Sequence, residues 1–282
     1  MTDHRPTWFI TGASTGFGLA FARTAAEKGY NVVATARSPE RLAAFAAAGG
    51  ERVLVARLDV TVPDEAERAV AAALARFGRI DVVVNNAGYG IVGAVEETPD
   101  AELRAQMETN FFGAAAVIRA VLPVLRQQRS GAIVNMSSLG GQLSYGGFGA
   151  YSASKFALEG LSEALAQEVA PFGIKVLIVE PGAFRTDFAG GALRHMPVVA
   201  AYAPGLAGIR DFARGMDGTQ AGDPAKAVAA IETALAAETM PLRLQLGIDC
   251  VAAVREHGER LLADLNQWEA VGRATGFEPA AG

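Results

Sequence analysis

Short apolar segments rich in β-branched residues alternate with alanine-rich helical patterns along most of this chain. Seven segments are predicted to be strands, at residues 7–13, 30–37, 52–60, 80–88, 131–138, 175–183 and 242–247. The first six are almost continuously apolar, which is typical of strands that are buried on both faces of a sheet. Seven helical patterns separate or follow them, at residues 18–28, 39–48, 64–76, 100–127, 151–171, 224–237 and 250–274. This alternation predicts right-handed crossovers and a doubly wound (Rossmann) α/β fold, a single domain over 1–282 with a seven-stranded parallel sheet and helices on both faces.

Charge and residue usage exclude several classes of function. The formal net charge of −5 argues against a nucleic-acid-binding face, which needs a basic surface. The single cysteine, Cys250, excludes an internal disulfide, and His4, His195 and His257 show no metal-ligand spacing, so no metal site is predicted. No apolar run approaches the roughly 18 residues of a membrane span, and the N-terminal segment lacks the apolar core of a signal peptide. We therefore expect a cytoplasmic protein whose partner is a small molecule.

The sequence "TGASTGFG" lies between the first predicted strand and the first predicted helix. Glycine at this turn lets the backbone approach a pyrophosphate, and the free N–H groups of the helix N-terminus then face the anion. A glycine-rich turn without a ligand is the simpler alternative, although its place after the first strand of a β–α series favours a dinucleotide site. The predicted contacts are Gly12, Ser14, Thr15, Gly16, Phe17 and Gly18.

The end of the second predicted strand indicates which dinucleotide is preferred. An acidic residue usually stands there and binds the ribose 2′-OH, but this strand ends with Ala36 followed by Arg37. A guanidinium in place of a carboxylate suits a 2′-phosphate, so NADP(H) is favoured and NAD(H) remains the alternative. The alternative is that Arg37 is merely a solvated residue at a helix entry.

Tyr151 and Lys155 are four positions apart in a helical segment, so their side chains share one face. By itself this spacing is compatible with an ordinary surface pair. However, Ser138 ends the fifth predicted strand thirteen residues upstream, and a glycine-rich loop separates it from Tyr151. These three side chains can therefore converge on one pocket. Asn110 lies inside an apolar helical segment, where its amide must be bonded either as a core amide or as part of a site.

In their order and spacing, these motifs resemble those of the short-chain dehydrogenase/reductase family, compact single-domain type. The resemblance covers about residues 7–188, and the C-terminal third carries no matching motif. The matching elements are "TGASTGFG", "LDV" at 58–60, "NNAG" at 85–88, Asn110, Ser138, the Tyr-x-x-x-Lys of Tyr151 and Lys155, and "PGAFRT" at 181–186.

The resemblance implies a role for each matching residue. Tyr151 would be the general acid in carbonyl reduction, and Lys155 would bond the nicotinamide ribose and lower the pKa of that tyrosine. Ser138 would bond the substrate oxygen, and Asn110 would hold a water that links Lys155 to solvent. Further cofactor contacts would be Asp59, Val60, Asn86, Ala87, Gly88, Pro181, Gly182, Phe184 and Thr186. The family also suggests a homodimer or homotetramer that assembles through helices 100–127 and 151–171.

The segment 183–222, here called the flap, is predicted to select the substrate. It is rich in glycine and apolar residues and shows no clear secondary structure, so we expect a lid that is mobile without cofactor and protected with it. The predicted substrate contacts are Ser138, Leu139, Leu143, Tyr145, Tyr151, Phe184 and Phe188, with Phe148, Met196, Tyr202, Phe212 and Met216 as further candidates. This set favours an apolar, moderately bulky ketone, aldehyde or secondary alcohol. Packing of the flap or of a subunit contact is the alternative.

Three functions are compatible with such a chain. An NADP(H)-dependent oxidoreductase is favoured because the tyrosine, lysine and serine are all present. A non-catalytic, dinucleotide-sensing regulatory protein on the same fold is the second, since a fold alone does not define a function. An isomerase or lyase of the sugar-nucleotide branch is the third, although the chain lacks that branch's TGxxGxxG motif and larger C-terminal domain.

Overall fold

A computed structural model describes residues 5–277, so His4 lies outside the described residues. Nine strands are present: β1 (Thr7–Ile10), β2 (Asn31–Ala36), β3 (Val53–Arg57), β4 (Val82–Asn85), β5 (Gly90–Val92), β6 (Gly131–Met136), β7 (Ile174–Pro181), β8 (Leu193–His195) and β9 (Arg243–Leu246). Seven of them form one parallel sheet in the order β3-β2-β1-β4-β6-β7-β9, and β5 pairs with β8 in a small second sheet. The predicted seven-stranded doubly wound sheet is confirmed.

Ten α-helices surround the sheet: α1 (Gly16–Glu27), α2 (Ala43–Gly49), α3 (Glu65–Phe77), α4 (Asp100–Met107), α5 (Gly113–Gln128), α6 (Gly149–Val169), α7 (Phe188–Gly191), α8 (Ala203–Gly215), α9 (Pro224–Ala236) and α10 (Ile248–Arg273). A turn of π-helix at Glu108–Phe112 divides the single helix predicted at 100–127 into α4 and α5. The helices α7 and α8 lie in the flap and were not predicted.

The hydrophobic core consists of two layers, one on each face of the sheet. Alternate strand residues point to opposite faces, so neighbours such as Phe9 and Ile10 belong to different layers. Helices α1 and α9 cover one layer, and α3, α5 and α6 cover the other. Burial on both faces explains the continuous apolar runs in the strands. It also fixes the carboxyl ends of β1, β4, β6 and β7 along one edge, where such sheets bind ligands.

The continuous helical stretch Asp100–Gln128 corrects the expectation that no segment is long and apolar enough to span a membrane. Its 29 residues contain a window of mean hydropathy 1.3, which meets that length and composition. However, Val117, Val121 and Leu125 are fully buried against the sheet. The apolar face of this stretch therefore packs in the protein core, as in the core helix of a globular domain.

The flap leaves and rejoins the body at one place. Phe184 and Gly222 form a parallel bridge, and the Arg185 guanidinium donates to the Gln220 carbonyl at 3.0 Å. Between these ends, α7, β8 and α8 give the flap regular structure, so the expectation of a segment without secondary structure is wrong. The periodicity was missed because glycine and proline interrupt the sequence around Ala203–Gly215.

A buried ion pair anchors the flap to the body. The Arg210 guanidinium on α8 donates to the Glu97 carboxylate, and both side chains are almost fully buried. Glu97 also accepts from the backbone N–H groups of Ala94 (2.6 Å) and Val199 (2.9 Å). The bond from Ala94 is the main reason that the pKa of Glu97 is lowered, and burial opposes it. The carboxylate therefore stays ionised at neutral pH, and the anchor is lost only as pH falls through this lowered pKa.

Replacing Arg210 with methionine should loosen the flap, because the Glu97 carboxylate would stay buried without its cation. We expect faster amide hydrogen exchange across α8, measured by mass spectrometry, with unchanged exchange in β1, β4 and β6. Adding Glu97→Gln to the same chain should partly restore protection, since the unpaired charge is then removed. Unchanged exchange of α8 in Arg210→Met would contradict this role of the ion pair.

Candidate active site

A cleft of about 500 Å³ opens at the carboxyl edge of the sheet, between the strand ends and the flap. Its size is that of a site for a small molecule. Fourteen predicted site residues line it: Phe17, Asn86, Gly88, Ser138, Leu139, Leu143, Tyr145, Tyr151, Lys155, Pro181, Gly182, Phe184, Thr186 and Phe188. The fold thus brings all the predicted substrate residues and part of the predicted cofactor and catalytic residues to one cleft. The predicted residues that do not line it are Gly12, Ser14, Thr15, Gly16, Gly18, Arg37, Asp59, Val60, Ala87 and Asn110.

The turn after β1 has the backbone that the glycine pattern predicts. Gly12 and Gly16 adopt φ values of +63° and +53°, which side-chain-bearing residues rarely adopt. A Cβ on Gly18 would overlap the Gly12 carbonyl oxygen, so only glycine permits this close approach of helix and turn. The first turn of α1 also has no side-chain cap at Thr15. These features leave a backbone cradle with free N–H groups, which fits the pyrophosphate of a dinucleotide.

Asn86 and Ala87, which follow β4, hold this turn in place. The Asn86 side-chain amide donates to the carbonyl oxygens of Thr11 (3.0 Å) and Gly12 (3.2 Å). The backbone N–H groups of Asn86 and Ala87 both donate to the Thr11 hydroxyl. Asn86 thus supports the glycine turn, and its expected contact with the adenosine side of a cofactor stays a prediction. Gly88 beside it is exposed on the cleft.

Tyr151, on the first turn of α6, faces the cleft between two aromatic side chains. Its ring centroid lies 6.4 Å from that of Phe148 and 5.6 Å from that of Phe188, which comes from the flap. Burial raises the pKa of Tyr151 to about 12, and a hydrogen bond with Ser138 acts in the opposite direction. The hydroxyl is therefore protonated at neutral pH and is placed beside the serine that the sequence paired with it.

Lys155 lies one turn further along α6, with its ammonium beneath the Tyr151 ring at 5.7 Å from the centroid. Its Nζ donates to the Met136 carbonyl oxygen at 2.8 Å, and burial lowers its pKa to about 8. This corrects the expectation that Lys155 holds the pKa of Tyr151 below its usual value. In this geometry desolvation dominates for both groups, and it disfavours the charged form of each.

Asn110 occupies the π-helical turn between α4 and α5 and is fully buried. Its amide donates to the Tyr89 carbonyl (2.9 Å) and to the Ser154 hydroxyl (3.0 Å), and its carbonyl accepts from the Tyr89 N–H (3.1 Å). The side chain is thus a satisfied amide that ties the α4–α5 junction to the start of α6. That Asn110 holds a water beside Lys155 stays a prediction.

Comparison with known proteins agrees with this geometry. The sequence profile described as short chain dehydrogenase matches residues 6–197. The chain belongs to the short-chain dehydrogenase family. It is 42% identical over 269 residues to a protein named oxidoreductase BOA17 from Botryotinia fuckeliana, which covers 95% of this chain and 98% of that protein.

Two solved short-chain dehydrogenases share the fold over nearly the whole chain. One, from Streptomyces avermitilis, is 50% identical with a TM-score of 0.92, covering 98% of this chain and 100% of that one. The other, from Burkholderia phymatum in complex with NAD, is 25% identical with a TM-score of 0.80, covering 94% of this chain and 96% of that one. The similarity to the Streptomyces protein covers the C-terminal third, where no sequence motif was recognised.

The corner where this short-chain dehydrogenase would hold the adenine ribose carries two arginines. Arg37 follows β2 and is exposed, and within residues 5–277 its guanidinium makes no hydrogen bond or ion pair. Arg57 pairs with Ala36 in the sheet register and donates to the Arg37 carbonyl at 2.8 Å. Sequence reasoning missed Arg57, although it directly precedes the "LDV" motif. Arg37 is thus the guanidinium available to a 2′-phosphate at this strand end, whereas the Arg57 guanidinium also donates to the Glu65 carboxylate at 3.1 Å.

The two remaining predicted adenine contacts lie near this corner but outside the cleft. Asp59 accepts from the N–H and hydroxyl of Thr61, so its carboxylate caps its own turn. Val60 packs against the Cα of Gly113 at the start of α5. Both residues are half-buried at the end of β3, which leaves their predicted contact with adenine untested.

A buried acidic pair lies behind Lys155. Glu159, the next turn of α6, accepts from the Arg243 guanidinium at 2.9 Å. Glu180, at the end of β7, accepts from Gln142 at 2.9 Å, and Gln142 belongs to the loop that follows Ser138. Burial, together with the neighbouring Glu180, raises the pKa of Glu159 to about 7. Glu159 and Glu180 thus connect the loop after Ser138 (called the serine loop), helix α6 and strand β7 to β9.

Asp249 is a cleft residue that sequence reasoning missed. It lies in the first turn of α10, and its carboxylate accepts from the Ala183 N–H at 2.7 Å. A Cβ on Gly182 would collide with this carboxylate, so the close approach of Asp249 requires glycine at position 182. The contact joins residues 66 positions apart, and only the position of Asp249 at a helix start could have indicated it.

The flap residues divide into two groups. Phe212 and Met216 on α8 line the cleft, as expected. Met196 instead packs on Gly93, and the Tyr202 hydroxyl donates to Glu96 at 2.6 Å, so their expected place in the pocket is wrong. His195 is exposed outside the cleft. The Met196 and Tyr202 side chains thus hold the flap onto the body.

Proposed function

We propose that this short-chain dehydrogenase is an NADP(H)-dependent oxidoreductase that interconverts a ketone or aldehyde and an alcohol on an apolar, moderately bulky substrate. The observation that carries the proposal is one cleft in which Phe17, beside the glycine turn, and Ser138, Tyr151 and Lys155 line the same space. A proton donor, a hydrogen-bond partner and a buried cation thus meet beside a cradle for a dinucleotide. We also propose the cytoplasm as its location.

The cofactor would lie with its pyrophosphate on the glycine turn and its nicotinamide between Thr186, Pro181 and Lys155. When bound, it supplies or accepts the hydride. Asp249 would support this part of the site, because its carboxylate accepts from the Ala183 N–H at 2.7 Å. Arg37 supports the choice of NADP(H), because guanidinium groups bind phosphate with charge-assisted hydrogen bonds. The related Burkholderia phymatum structure holds NAD, so NAD(H) is the alternative to be tested.

The proton steps belong to Tyr151, Ser138 and Lys155. A substrate oxygen that replaces the mutual hydrogen bond of Tyr151 and Ser138 would receive both hydroxyls as donors. Tyr151, with its pKa raised to about 12, keeps its proton until negative charge develops on that oxygen and then releases it. Lys155 stands 5.7 Å from the ring and stabilises the phenolate that remains.

Apolar side chains from two segments line the substrate side of the cleft. The serine loop contributes Leu139 and Leu143, and the flap contributes Phe188, Phe212 and Met216. Such walls bind hydrocarbon by removing apolar surface from water and offer no set of polar groups for a sugar. The carbonyl group of such a substrate would lie at Ser138 and Tyr151.

The direct test follows the loss of reduced-nicotinamide absorbance with NADPH and a panel of carbonyl compounds. The panel should contain aliphatic, alicyclic and aromatic ketones and aldehydes, with aldoses as polar controls of similar size. We expect turnover with apolar carbonyls and little with the sugars. Binding of NADPH without turnover of any compound would instead support the dinucleotide-sensing function.

The pH dependence of carbonyl reduction should follow the protonation state of Lys155. Because its pKa is lowered to about 8, the ammonium is lost as pH rises past 8, and kcat/KM for reduction should fall there. Above pH 7 the ionised Glu159 opposes this lowering, so Glu159→Gln should move the falling limb to lower pH. The pH profile of kcat/KM measures the shift.

Glu163→Gln is the matched control for this prediction. Glu163 also accepts from Arg243, at 2.9 Å, but it is half-exposed and is not a cause of the Lys155 pKa. The pH profile of kcat/KM for Glu163→Gln should coincide with that of the wild type. A limb that stays in place in Glu159→Gln, or that moves equally in both variants, would show that Glu159 does not act on Lys155.

We further propose a homo-oligomer that assembles through the faces of α5 and α6, as the family resemblance implies. Phe112 and Phe156 support this proposal, because their side chains are 48% and 47% exposed on neighbouring parts of that surface. Apolar side chains of this size at a helix face are typical of a subunit contact. Light scattering of the Phe156→Glu variant tests it by a reduced molar mass.

A further inference from the structure

The C-terminal helix α10 leaves the body of the protein after its first three turns. Cys250 is fully buried near its start, and the Cys250 thiol donates to the Glu180 carbonyl at 3.0 Å. In contrast, every residue from Gly258 to Arg273 is exposed. An isolated helix of this length is marginal in water, since most helical stability in proteins comes from packing of an apolar face.

This exposed part nevertheless carries large apolar side chains. Leu261, Leu265 and Trp268 are 56%, 63% and 61% exposed, and Leu262 and Val271 are similarly exposed. The spacing of the first three is four and then three residues, which continues back to Gly258 and Val254 and forward to Gly272. Apolar and small residues at alternating four- and three-residue steps form the seam of a coiled coil. The stripe, defined as positions 254, 258, 261, 265, 268 and 272, is thus mostly exposed among residues 5–277, although Val254 is half-buried and Leu261 borders a groove beside residues 143–145.

The stripe complements itself when two copies of α10 run antiparallel about a two-fold axis near Ala263. Leu261 then faces Leu265 of the other copy, and the bulky Trp268 faces Gly258. Nothing lies within 4 Å of the place where a Cβ of Gly258 would be, so the small residue leaves a hole for the indole. Val254 and Gly272 make the outermost pair. Each large side chain therefore meets a small or matching one, as packing at an isologous interface requires.

On the flank of the stripe that carries Leu262, the charges agree with this arrangement, whereas on the other flank Asp264 comes beside its own copy. In the antiparallel pair, Arg255 of one helix comes beside Glu269 of the other, and Leu262 meets its own copy at the axis. Arg255 has no ion pair within residues 5–277, so its guanidinium is available. A parallel pair would instead place Trp268 on Trp268 and Gly258 on Gly258, leaving a clash and a void. The residue order therefore favours the antiparallel pair.

A membrane surface suits this helix less well than a second copy. Helix α10 carries three arginines against five carboxylates, whereas helices that lie on anionic lipid carry a basic polar face. From the self-complementary stripe, we infer that α10 is a docking surface for a second copy of this chain, formed by an antiparallel α10 pair. This contact is separate from the α5–α6 face and does not depend on the proposed reaction.

The pair would also reach the substrate side of the cleft. A groove lies between α10 and the loop after β6, lined by His257, Arg260, Leu261 and Asp264 on one side and residues 143–145 on the other. Tyr145 lines both this groove and the active-site cleft. Since Trp268 of the second copy lies opposite Gly258, its indole would stand at the end of this groove. The second copy thus helps to fix the loop that holds Tyr145.

The first test is the molar mass of the full chain by multi-angle light scattering. Leu265→Glu should halve the molar mass of the wild type, whether or not the α5–α6 face also associates. Ala263→Glu is the matched control, because it adds the same charge on the opposite, exposed side of the same helix and should leave the mass unchanged. An unchanged mass in Leu265→Glu would overturn the inference.

A crosslinking experiment tests the orientation separately from stability. Under mild oxidation, a mixture of Leu261→Cys and Leu265→Cys chains should form a disulfide-linked heterodimer, while neither variant alone should crosslink efficiently. Crosslinking of each variant with itself would show a parallel pair and overturn the antiparallel assignment. Co-sedimentation of the wild type, but not of Leu265→Glu, with phosphatidylcholine–phosphatidylserine vesicles and no heterodimer would show that a lipid surface covers the stripe instead.

Discussion

Replacing Tyr151 with phenylalanine should lower kcat/KM for carbonyl reduction by about 10²–10⁴-fold, the usual contribution of a positioned acid–base group. The ring would keep its contacts with Phe148 and Phe188, so the shape of the cleft is preserved. Only the hydroxyl beside Ser138 is lost, and with it the proton for the developing alkoxide. Binding of NADPH, measured by its fluorescence, should be unchanged within about twofold, because removing one neutral hydrogen bond costs little.

Tyr145→Phe is the control for this variant. Tyr145 also lines the cleft, but its side chain is 49% exposed and lies on the outer part of the serine loop. The same chemical change there should leave kcat within about twofold, because no proton transfer is assigned to it. Equal activity of Tyr151→Phe and Tyr145→Phe would remove Tyr151 from the mechanism.

Reversing the charge at Arg37 should change which cofactor the protein prefers. For Arg37→Asp we expect the ratio of kcat/KM with NADPH to kcat/KM with NADH to fall by about 100-fold, since charge-assisted hydrogen bonds contribute about 1.5–3 kcal/mol. The carboxylate would repel the 2′-phosphate and could accept from the 2′-OH of NADH. Steady-state kinetics with both cofactors and one carbonyl substrate measures the ratio.

Arg41→Asp provides the matched charge reversal. Arg41 is exposed on the short turn Pro39–Leu42, four residues from Arg37. It should change the ratio by no more than about twofold, as a screened surface charge does. If Arg37→Asp keeps the wild-type ratio, or if the wild type already prefers NADH, then Arg37 does not select the 2′-phosphate.

The fold could be predicted because its signals are local. Six of the seven main strands are almost continuous apolar runs, and burial on both faces of the sheet explains that pattern. The glycine turn could also be predicted from the sequence, because the turn requires glycine at three positions. Gly12 and Gly16 have positive φ values, and Gly18 lies too close to the Gly12 carbonyl to carry a side chain. Tyr151 and Lys155 were found because one helical turn places them together.

What the sequence did not reveal depends on contacts between distant segments. Asp249 reaches Ala183 across 66 positions, and the Arg210–Glu97 anchor spans 113. No local pattern marks such pairs before the fold brings them together. The expectation of a lowered pKa for Tyr151 was wrong because burial cannot be seen in the sequence. The neighbouring lysine is visible there, but the burial that raises the pKa of Tyr151 appears only in the fold.

The central claim is that the cleft transfers a hydride between a nicotinamide and a carbonyl carbon. The most direct measurement uses NADPH deuterated at both C4 positions, with mass spectrometry of the alcohol formed from the best carbonyl of the panel. We predict one deuterium on the carbinol carbon of each product molecule, and about 10²–10⁴-fold slower formation of this labelled product with Tyr151→Phe. A product that forms without deuterium, or a substrate that is rearranged while NADPH is not consumed, would contradict the account and favour an isomerase or lyase.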